Sequence, residues 1–132
     1  MNAIIVTGGD IDISLLENYI DENKEDIIIS VDAAITKLEK INVIPHIMVG
    51  DFDTLSDGEK LKKYENLNVE IVKHDPIKDF SDSELAVDRA VKDDIKNITV
   101  FGALGKRFDH AFANILILQK YKKIGVDITI YD

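Results

Sequence analysis

The stretch Ile27-Ile28-Ile29-Ser30-Val31 decides the fold, because it is a short apolar run in which almost every residue is β-branched. A second apolar run, Ile47-Met48-Val49, follows it after a turn marked by Pro45. Between the two runs, apolar residues recur at helical spacing: Ala34, Ile35, Leu38 and Ile41. Continuous apolar runs, without apolar–polar alternation, are typical of parallel strands that are buried on both faces. This stretch therefore predicts a strand–helix–strand unit of a parallel sheet.

The same alternation extends along the whole chain. Asp10 or Asp12 is predicted to cap the first helix, and Gly125 to end the last one. Ser81-Asp82-Ser83-Glu84 matches a capping box that opens a helix, whereas the helix predicted from Ser56 to Tyr64 is polar enough to lie on the surface. We predict an α/β fold of three layers, α/β/α, with a mostly parallel sheet of about six strands. The predicted strands are residues 3–6, 27–31, 47–49, 69–72, 98–101 and 127–131.

Composition limits the class of protein. The chain has 132 residues, 45% of them hydrophobic, which is enough for one domain with an ordinary core. Its net charge of −9 and its lack of a basic block argue against binding to nucleic acid or to an anionic membrane. There is no cysteine, hence no disulfide or thiolate chemistry, and we identify neither a signal peptide nor an apolar stretch of membrane-spanning length. We therefore expect a cytoplasmic protein.

Polar and glycine residues collect where the predicted strands end. In a doubly wound sheet, ligands bind beyond the carboxyl ends of the strands, so these segments are expected to share one edge. Strand-ending loops are often polar, which makes any single case weak, but five such segments on one edge are harder to dismiss. They are Thr7-Gly8-Gly9-Asp10, Asp32, the pair Asp51 and Asp53, residues 75–82, and residues 102–109.

The segment Gly50-Asp51-Phe52-Asp53-Thr54 is the first candidate for a metal site. Alternate residues of an extended chain point to the same side, so Asp51 and Asp53 are placed to share one cation. Magnesium prefers oxygen ligands and is usually held by one or two carboxylates together with substrate phosphates. The alternative is a turn in which both aspartates cap backbone amides, and the segment alone does not decide between the two. Phe52 is expected to be a core anchor.

Two further groups of polar residues are candidates. Asp79 and Asp82 lie at the predicted start of a helix, where the helix dipole alone would favour acidic residues. Arg107 is a candidate for bidentate phosphate binding and Asp109 for accepting a proton or binding metal, although a surface Arg–Asp pair is the alternative. Gly8-Gly9 and the pair Gly102 and Gly105 would let backbone amides approach an anion. Arg107, His110 and Asn114 share one helical face.

Together these segments resemble the thiamine pyrophosphokinase family, in its N-terminal catalytic domain. The family signature G-D-x-D-S is matched by residues 50–54, with Thr54 in place of serine. Its K-D-x-T-D-x-E-x-A stretch is matched by residues 78–86, and its G-x-x-G-G-R-x-D-H-x-x-A-N segment by residues 102–114. Two departures are Asp32-Ala33-Ala34-Ile35, where the family usually has D-G-G-A, and Lys106 at the second glycine of G-G-R.

The resemblance implies pyrophosphoryl transfer from ATP to the hydroxyethyl oxygen of thiamine, giving thiamine diphosphate and AMP. It further implies a Mg²⁺ cofactor, a homodimer, and a C-terminal thiamine-binding β-sandwich that the sequence, ending at Asp132, does not include. Asp109 would lie near the thiamine hydroxyl and Asp79 beside the metal. Magnesium would be bound by Asp51, Asp53 and Asp82. The nucleotide would be bound by Gly8, Gly9, Asp32, Asp79, Gly105, Arg107, His110 and Asn114.

Two other functions fit parts of the sequence. A magnesium-dependent phosphatase of the haloacid dehalogenase type has a D-x-D-x-T motif, which residues 51–55 resemble. That family carries the motif after its first strand, however, whereas two strand–helix units precede it here. The second alternative is a nucleotide- or metal-binding module that has the site but performs no turnover.

Overall fold

Strands and helices alternate in the computed structural model, which describes residues 1–50, 52, 55–73, 82–102, 116 and 118–131. A single 3-10 turn, Asp32–Ala34, joins the second strand to the second helix, and residues 118–122 are helical. The strands are β1 (Asn2–Val6), β2 (Ile27–Val31), β3 (Ile47–Gly50), β4 (Glu70–Lys73), β5 (Asn97–Phe101) and β6 (Asp127–Tyr131). The helices are α1 (Ile13–Glu22), α2 (Ile35–Lys40), α3 (Leu55–Asn66) and α4 (Asp82–Lys92).

The six strands form one sheet in the order β4-β3-β2-β1-β5-β6, and every pairing is parallel. The α/β prediction is confirmed, and the sheet is entirely rather than mostly parallel. From β1 to β4 each new strand is added on one side, whereas β5 pairs with the opposite side of β1. The strand order therefore reverses between β1 and β5. In an open parallel sheet, such a switch point leaves a crevice beyond the carboxyl ends of the two strands.

Helices cover both faces of the sheet, which confirms the three layers. On one face, strand residues such as Ile5 and Val49 pack against Ala90 of α4 and against Tyr121. On the other face, alternate strand residues pack against α1 and α2 and form a second cluster with them. Burying a side chain of this size is worth roughly 1.5–3 kcal/mol, so these two layers hold the strands in place. The second cluster consists of Ile4, Val6, Leu16, Ile20, Ile28, Ala34, Leu38 and Phe101.

The helix starts agree with the sequence where they are described. Asp12 caps α1, as predicted, because its carboxylate accepts a hydrogen bond of 3.1 Å from the amide of Leu15. Ser81, the predicted cap of the capping box, lies outside the described residues. The carboxylate of Glu84, its predicted partner, accepts a 2.6 Å hydrogen bond from Lys120. The helix predicted to lie on the surface is α3. Its Tyr64 side chain is buried against Ile35 and Met48 and holds α3 against the sheet.

Four helical segments end in the same way at the amino edge of the sheet, where the strands begin. Each ends with a residue of positive φ: Asn42 (56°), Asn68 (66°), Asp94 (64°) and Gly125 (84°). The next residue is aliphatic and donates its amide to the carbonyl five positions back, as in a Schellman motif. Gly125 is the helix stop that the sequence predicted. The four bonds are Val43 to Leu38 (3.0 Å), Val69 to Tyr64 (3.0 Å), Ile95 to Ala90 (3.3 Å) and Val126 to Tyr121 (3.1 Å).

Side chains add further bonds at the amino edge. His46, just before β3, donates its amide to the Ile28 carbonyl at 2.8 Å and accepts the Ile28 amide at Nδ1 at 3.0 Å. Arg89 of α4 donates two hydrogen bonds to the Glu70 carboxylate, of 2.5 and 2.8 Å, and lies 3.0 Å from Asp93. These contacts tie α4 to β4 and β3 to β2. In the part of the chain that the structure describes, no helix is long and apolar enough to cross a membrane.

Candidate functional site

The candidate site is the carboxyl edge of the sheet, at the switch point between β1 and β5. Thr7, the residue after β1, is buried and donates two hydrogen bonds to the carbonyl of Phe101, at the end of β5. One comes from its amide and the other from its hydroxyl, each at 2.9 Å. Thr7 therefore joins the carboxyl ends of the two strands.

Two glycines bring these loops into backbone contact. A Cβ atom placed on Gly9 would overlap the carbonyl oxygen of Gly102. Gly102 has a φ of 81°, which favours glycine, and a Cβ there would lie 2.8 Å from the Thr7 hydroxyl. Gly8, in contrast, has open space where its Cβ would stand. The two loops consequently meet through peptide groups, and neither Gly9 nor Gly102 has room for a side chain.

The ends of β2 and β3 also approach each other closely. A Cβ placed on Gly50 would lie 2.5 Å from Oδ1 of Asp32, so the absence of a side chain on Gly50 makes room for this carboxylate. Asp32 and Phe52 have φ values of 51° and 53°. Aspartate tolerates this left-handed region, but a phenylalanine there is a true outlier and holds strain of roughly 1–3 kcal/mol. Strained backbone thus follows Asp51 directly in the sequence. The left-handed Phe52 also corrects the expectation that the chain is extended between Asp51 and Asp53.

Lys37 is a residue of this edge that the sequence reasoning missed. It lies on α2 and is half-buried, and its ammonium donates a hydrogen bond to the carbonyl oxygen of Gly9. Burial lowers the pKa of the Lys37 ammonium, an effect that the carboxylate of Asp10 opposes and the charge of Lys40 reinforces. Its only sequence signal is its position in the first turn of the helix that follows Asp32, and no motif includes it.

The predicted site residues divide into two groups. Gly8, Gly9 and Asp32 lie at the carboxyl edge, and α4 begins at Asp82. Phe52 packs against the cluster of Met48 and Tyr64, as expected of a core anchor. The other predicted residues lie outside the described residues, and their roles stay predictions. They are Asp51, Asp53, Asp79, Gly105, Arg107, Asp109, His110 and Asn114.

The donor chemistry at this edge suits a hard cation. Within the described ranges, no group of three or more His, Cys, Asp or Glu side chains is arranged to hold a metal ion. The predicted ligands Asp51, Asp53 and Asp82 are not tested by that finding, because their side chains are not described. All three are carboxylates, and the polar side chain that the structure brings against Gly50 is a fourth carboxylate, that of Asp32. Such an all-oxygen set fits Mg²⁺ better than it fits softer metals.

Comparison with known proteins gives one consistent family. Residues 18–130 match the family described as thiamin pyrophosphokinase, catalytic domain. A thiamine pyrophosphokinase of Bacillus subtilis (strain 168) is 33% identical over 117 residues, which are 89% of this chain and 53% of the relative. Thiamin pyrophosphokinase 1 of Caenorhabditis elegans is 26% identical over 119 residues, which are 83% of this chain and 46% of the relative. The chain thus spans about half the length of these curated relatives.

Solved structures agree with the sequence matches. The crystal structure of thiamine pyrophosphokinase from Bacillus subtilis superimposes with a TM-score of 0.81 at 31% identity, over all of this chain and 61% of that one. That of thiamin pyrophosphokinase from Geobacillus thermodenitrificans gives a TM-score of 0.80 at 29% identity, over all of this chain and 60% of that one. The fold and the resemblance noted from the motifs are confirmed.

Proposed function

Because the chain belongs to the thiamin pyrophosphokinase catalytic-domain family, we propose that it transfers a pyrophosphoryl group from ATP to thiamine. The products would be thiamine diphosphate and AMP. The observation that carries this proposal is the contact of Gly9 with Gly102 at the switch point, where the loops after β1 and β5 meet through peptide groups. Peptide groups without side chains allow phosphates to approach closely, and the carboxyl ends of the strands at a switch point are where such ligands bind.

Magnesium and the polar residues of the site would act mainly by neutralising the negative charge of the phosphates. We propose that Asp51, Asp53 and Asp82 hold Mg²⁺, with Asp79 beside them. When bound, the ion would neutralise phosphate charge that a carboxylate-rich edge would otherwise repel. Arg107 would bind a phosphate in bidentate fashion, which orients the chain of phosphates as well as neutralising it. Gly105, His110 and Asn114 complete the proposed nucleotide site.

The reaction requires positioning and one proton transfer. The hydroxyl oxygen of thiamine attacks the β-phosphorus of ATP, and the bond from that phosphorus to the α,β-bridging oxygen breaks in line with it. AMP leaves with the bridging oxygen, and thiamine retains the two transferred phosphates. Asp109 is our candidate for receiving the hydroxyl proton. Catalysis of this kind depends on holding the two oxygens in line, which rigid strand ends achieve better than long loops.

The alternative is a module that binds Mg-ATP without turnover. The predicted site residues that the structure describes at the carboxyl edge, Gly8, Gly9 and Asp32, are all assigned to the nucleotide, which supports nucleotide binding in both functions. The phosphatase alternative gains no such support, because Gly50 ends the third strand rather than the first.

One assay separates these functions. The chain is incubated with Mg-ATP, with and without thiamine, and the products are resolved by phosphorus NMR. AMP and thiamine diphosphate formed only with thiamine support the proposal. ATP that binds but does not react points to the binding module, whereas inorganic phosphate released without thiamine points to the phosphatase. If the chain does not bind Mg-ATP at all, the proposed function is wrong for this chain.

The substitution Asp53→Asn tests the metal assignment. Asparagine keeps the shape of the side chain but removes its charge, so we expect magnesium-dependent ATP affinity to fall by roughly tenfold or more. Isothermal calorimetry at several Mg²⁺ concentrations measures the change. Asp21→Asn, on the exposed end of α1, is the matched control and should bind like the unchanged chain. Equal affinity of the Asp53→Asn variant would remove Asp53 from the metal site.

A further inference from the structure

Lys37 connects two parts of the molecule that are distant in sequence. It belongs to α2, and its ammonium bonds to the carbonyl of Gly9, 28 residues earlier in the chain. Leu38, next to it on the helix, and Ala34, in the turn before the helix, are fully buried in the core, whereas Lys37 itself is only half-buried. The stem of Lys37 therefore runs along the surface of α2 toward the loop that follows β1, and the ammonium ends at the carboxyl edge.

Gly9 is consequently held from two directions. The backbone of Gly102 approaches its Cα so closely that no side chain fits, and Lys37 bonds to its carbonyl oxygen. A trans peptide unit is planar, so fixing the carbonyl of Gly9 also fixes the direction of the following amide, that of Asp10, on the opposite side. Lys37 thus fixes which way the peptide group between Gly9 and Asp10 faces.

The positive charge of the Lys37 side chain also favours a role in nucleotide binding. Asp10 lies close enough to Lys37 to oppose the effect of burial on its pKa, so the ammonium and the loop share one electrostatic environment. In a chain with a net charge of −9, the ammonium offsets the carboxylate charge of this loop, which would otherwise repel phosphate. The ammonium therefore combines a hydrogen bond to the loop with a charge of the sign that a nucleotide requires.

We propose that Lys37 is a positioning residue for the nucleotide, acting through Gly9. It holds the Gly8-Gly9 loop in the arrangement that receives the phosphates of ATP. This inference rests on the proposed function and deepens it, because it assigns the control of the glycine loop to a residue of a different helix. Since Lys37 contributes no large apolar surface to the core, its removal should affect nucleotide binding more than folding.

The test compares three variants with the unchanged chain. Lys37→Met keeps most of the stem but removes the ammonium, and Lys37→Arg restores a cationic donor. Lys24→Met, in the exposed turn after α1, removes a lysine charge far from the carboxyl edge and serves as the control. Calorimetric titration with Mg-ATP gives the affinity of each, and urea unfolding gives its stability.

We expect the affinity for Mg-ATP to fall about tenfold in Lys37→Met, as for the loss of one charge-assisted hydrogen bond. The Lys37→Arg variant should recover most of that affinity, and Lys24→Met should match the unchanged chain. The urea midpoints of all four proteins should agree. Recovery by arginine at constant stability would not arise if Lys37 merely supported the fold.

The outcomes separate this inference from the proposed function. If the unchanged chain binds Mg-ATP and Lys37→Met binds it equally well, the inference is wrong and the proposed function stands. If the unchanged chain does not bind Mg-ATP, both are wrong. If Lys37→Met fails to fold, Lys37→Gln, which keeps a neutral donor, is measured in its place. Failure of that variant to fold as well would make Lys37 a structural residue and overturn the inference.

Discussion

Among the described residues, the left-handed ones at the amino edge of the sheet are Asn42, Asn68, Asp94 and Gly125, whereas those at the carboxyl edge are Asp32, Phe52 and Gly102. The first set repeats one solution. Asparagine, aspartate and glycine adopt positive φ with little strain, and the aliphatic residue that follows each of them closes a hydrogen bond to its helix. The second set repeats nothing: one glycine contacts a backbone, one aspartate faces Gly50, and one phenylalanine is strained.

The difference indicates that the amino edge serves stability, whereas the carboxyl edge serves ligand binding. At the amino edge, the helix ends form their hydrogen bonds through residues that adopt positive φ with little strain. Arg89 also ties α4 to β4 through Glu70. The carboxyl edge accepts unfavourable conformations, and such strain persists only where surrounding structure enforces it, typically at ligand sites. Substitutions at the amino edge should therefore change stability alone, whereas substitutions of the residues that shape the carboxyl edge should change nucleotide binding.

The largest effect is expected for Gly9→Ala at the carboxyl edge. The added methyl group would overlap the Gly102 carbonyl, so the two loops must separate. We expect a loss of roughly 1–3 kcal/mol in the free energy of unfolding, together with the loss of Mg-ATP binding. Urea unfolding and calorimetry measure the two quantities. Gly58→Ala, on the exposed side of α3, is the matched control, because its methyl group would also enter open space, and it should reduce neither quantity.

An effect of intermediate size is expected for Gly125→Val at the amino edge. Gly125 has a φ of 84° and open space around its Cβ position, so the penalty comes from the backbone alone. A β-branched residue in this region should lower the free energy of unfolding by about 1–2 kcal/mol without changing ATP affinity. Gly125→Asn should lose less, since asparagine fills the equivalent position after α2 and α3. An equal loss in both variants would contradict this account of the helix ends.

The smallest effect is expected for the Glu70→Gln substitution. The hydrogen bond from Arg89 lowers the pKa of the Glu70 carboxyl in the folded state. A carboxylate of lowered pKa stabilises the fold above its ordinary pKa, and this contribution disappears as the pH falls through the folded value. Glu70 is 48% exposed, so solvent screening limits the effect to about 0.2–1 kcal/mol.

Urea midpoints at neutral and at acidic pH measure this contribution. Glu70→Gln should lower the midpoint at neutral pH and lose less stability on acidification than the unchanged chain does. Glu22→Gln, at the exposed end of α1, is the control and should follow the unchanged chain at both pH values. A Glu70→Gln variant with the full loss on acidification would show that other carboxylates account for it.

Local features were predictable from the sequence, and relations between distant segments were not. Runs such as Ile27 to Val31 predict buried strands because β-branched residues favour strands. Asp12 predicts a helix cap because its carboxylate can accept a hydrogen bond from an amide of the first turn. The strand order depends on which way each helix crosses the sheet, which no residue pattern records. The positive φ of Phe52 and the bond from Lys37 to Gly9 likewise come from tertiary packing. The three matched motifs indicated the family, yet none of them includes Lys37.

The place of β1 inside the sheet has a consequence for synthesis. Its partners β2 and β5 lie on opposite sides, and the hydrogen bond from Thr7 to Phe101 joins residues that are 94 positions apart. At a translation rate of roughly 5–20 residues per second, one side of β1 stays unpaired for about 5–20 seconds. During that time the nascent chain carries an open apolar strand edge, which is a template for wrong pairing. The rate at which ribosomes deliver β5 should therefore help to set the yield of correctly paired protein.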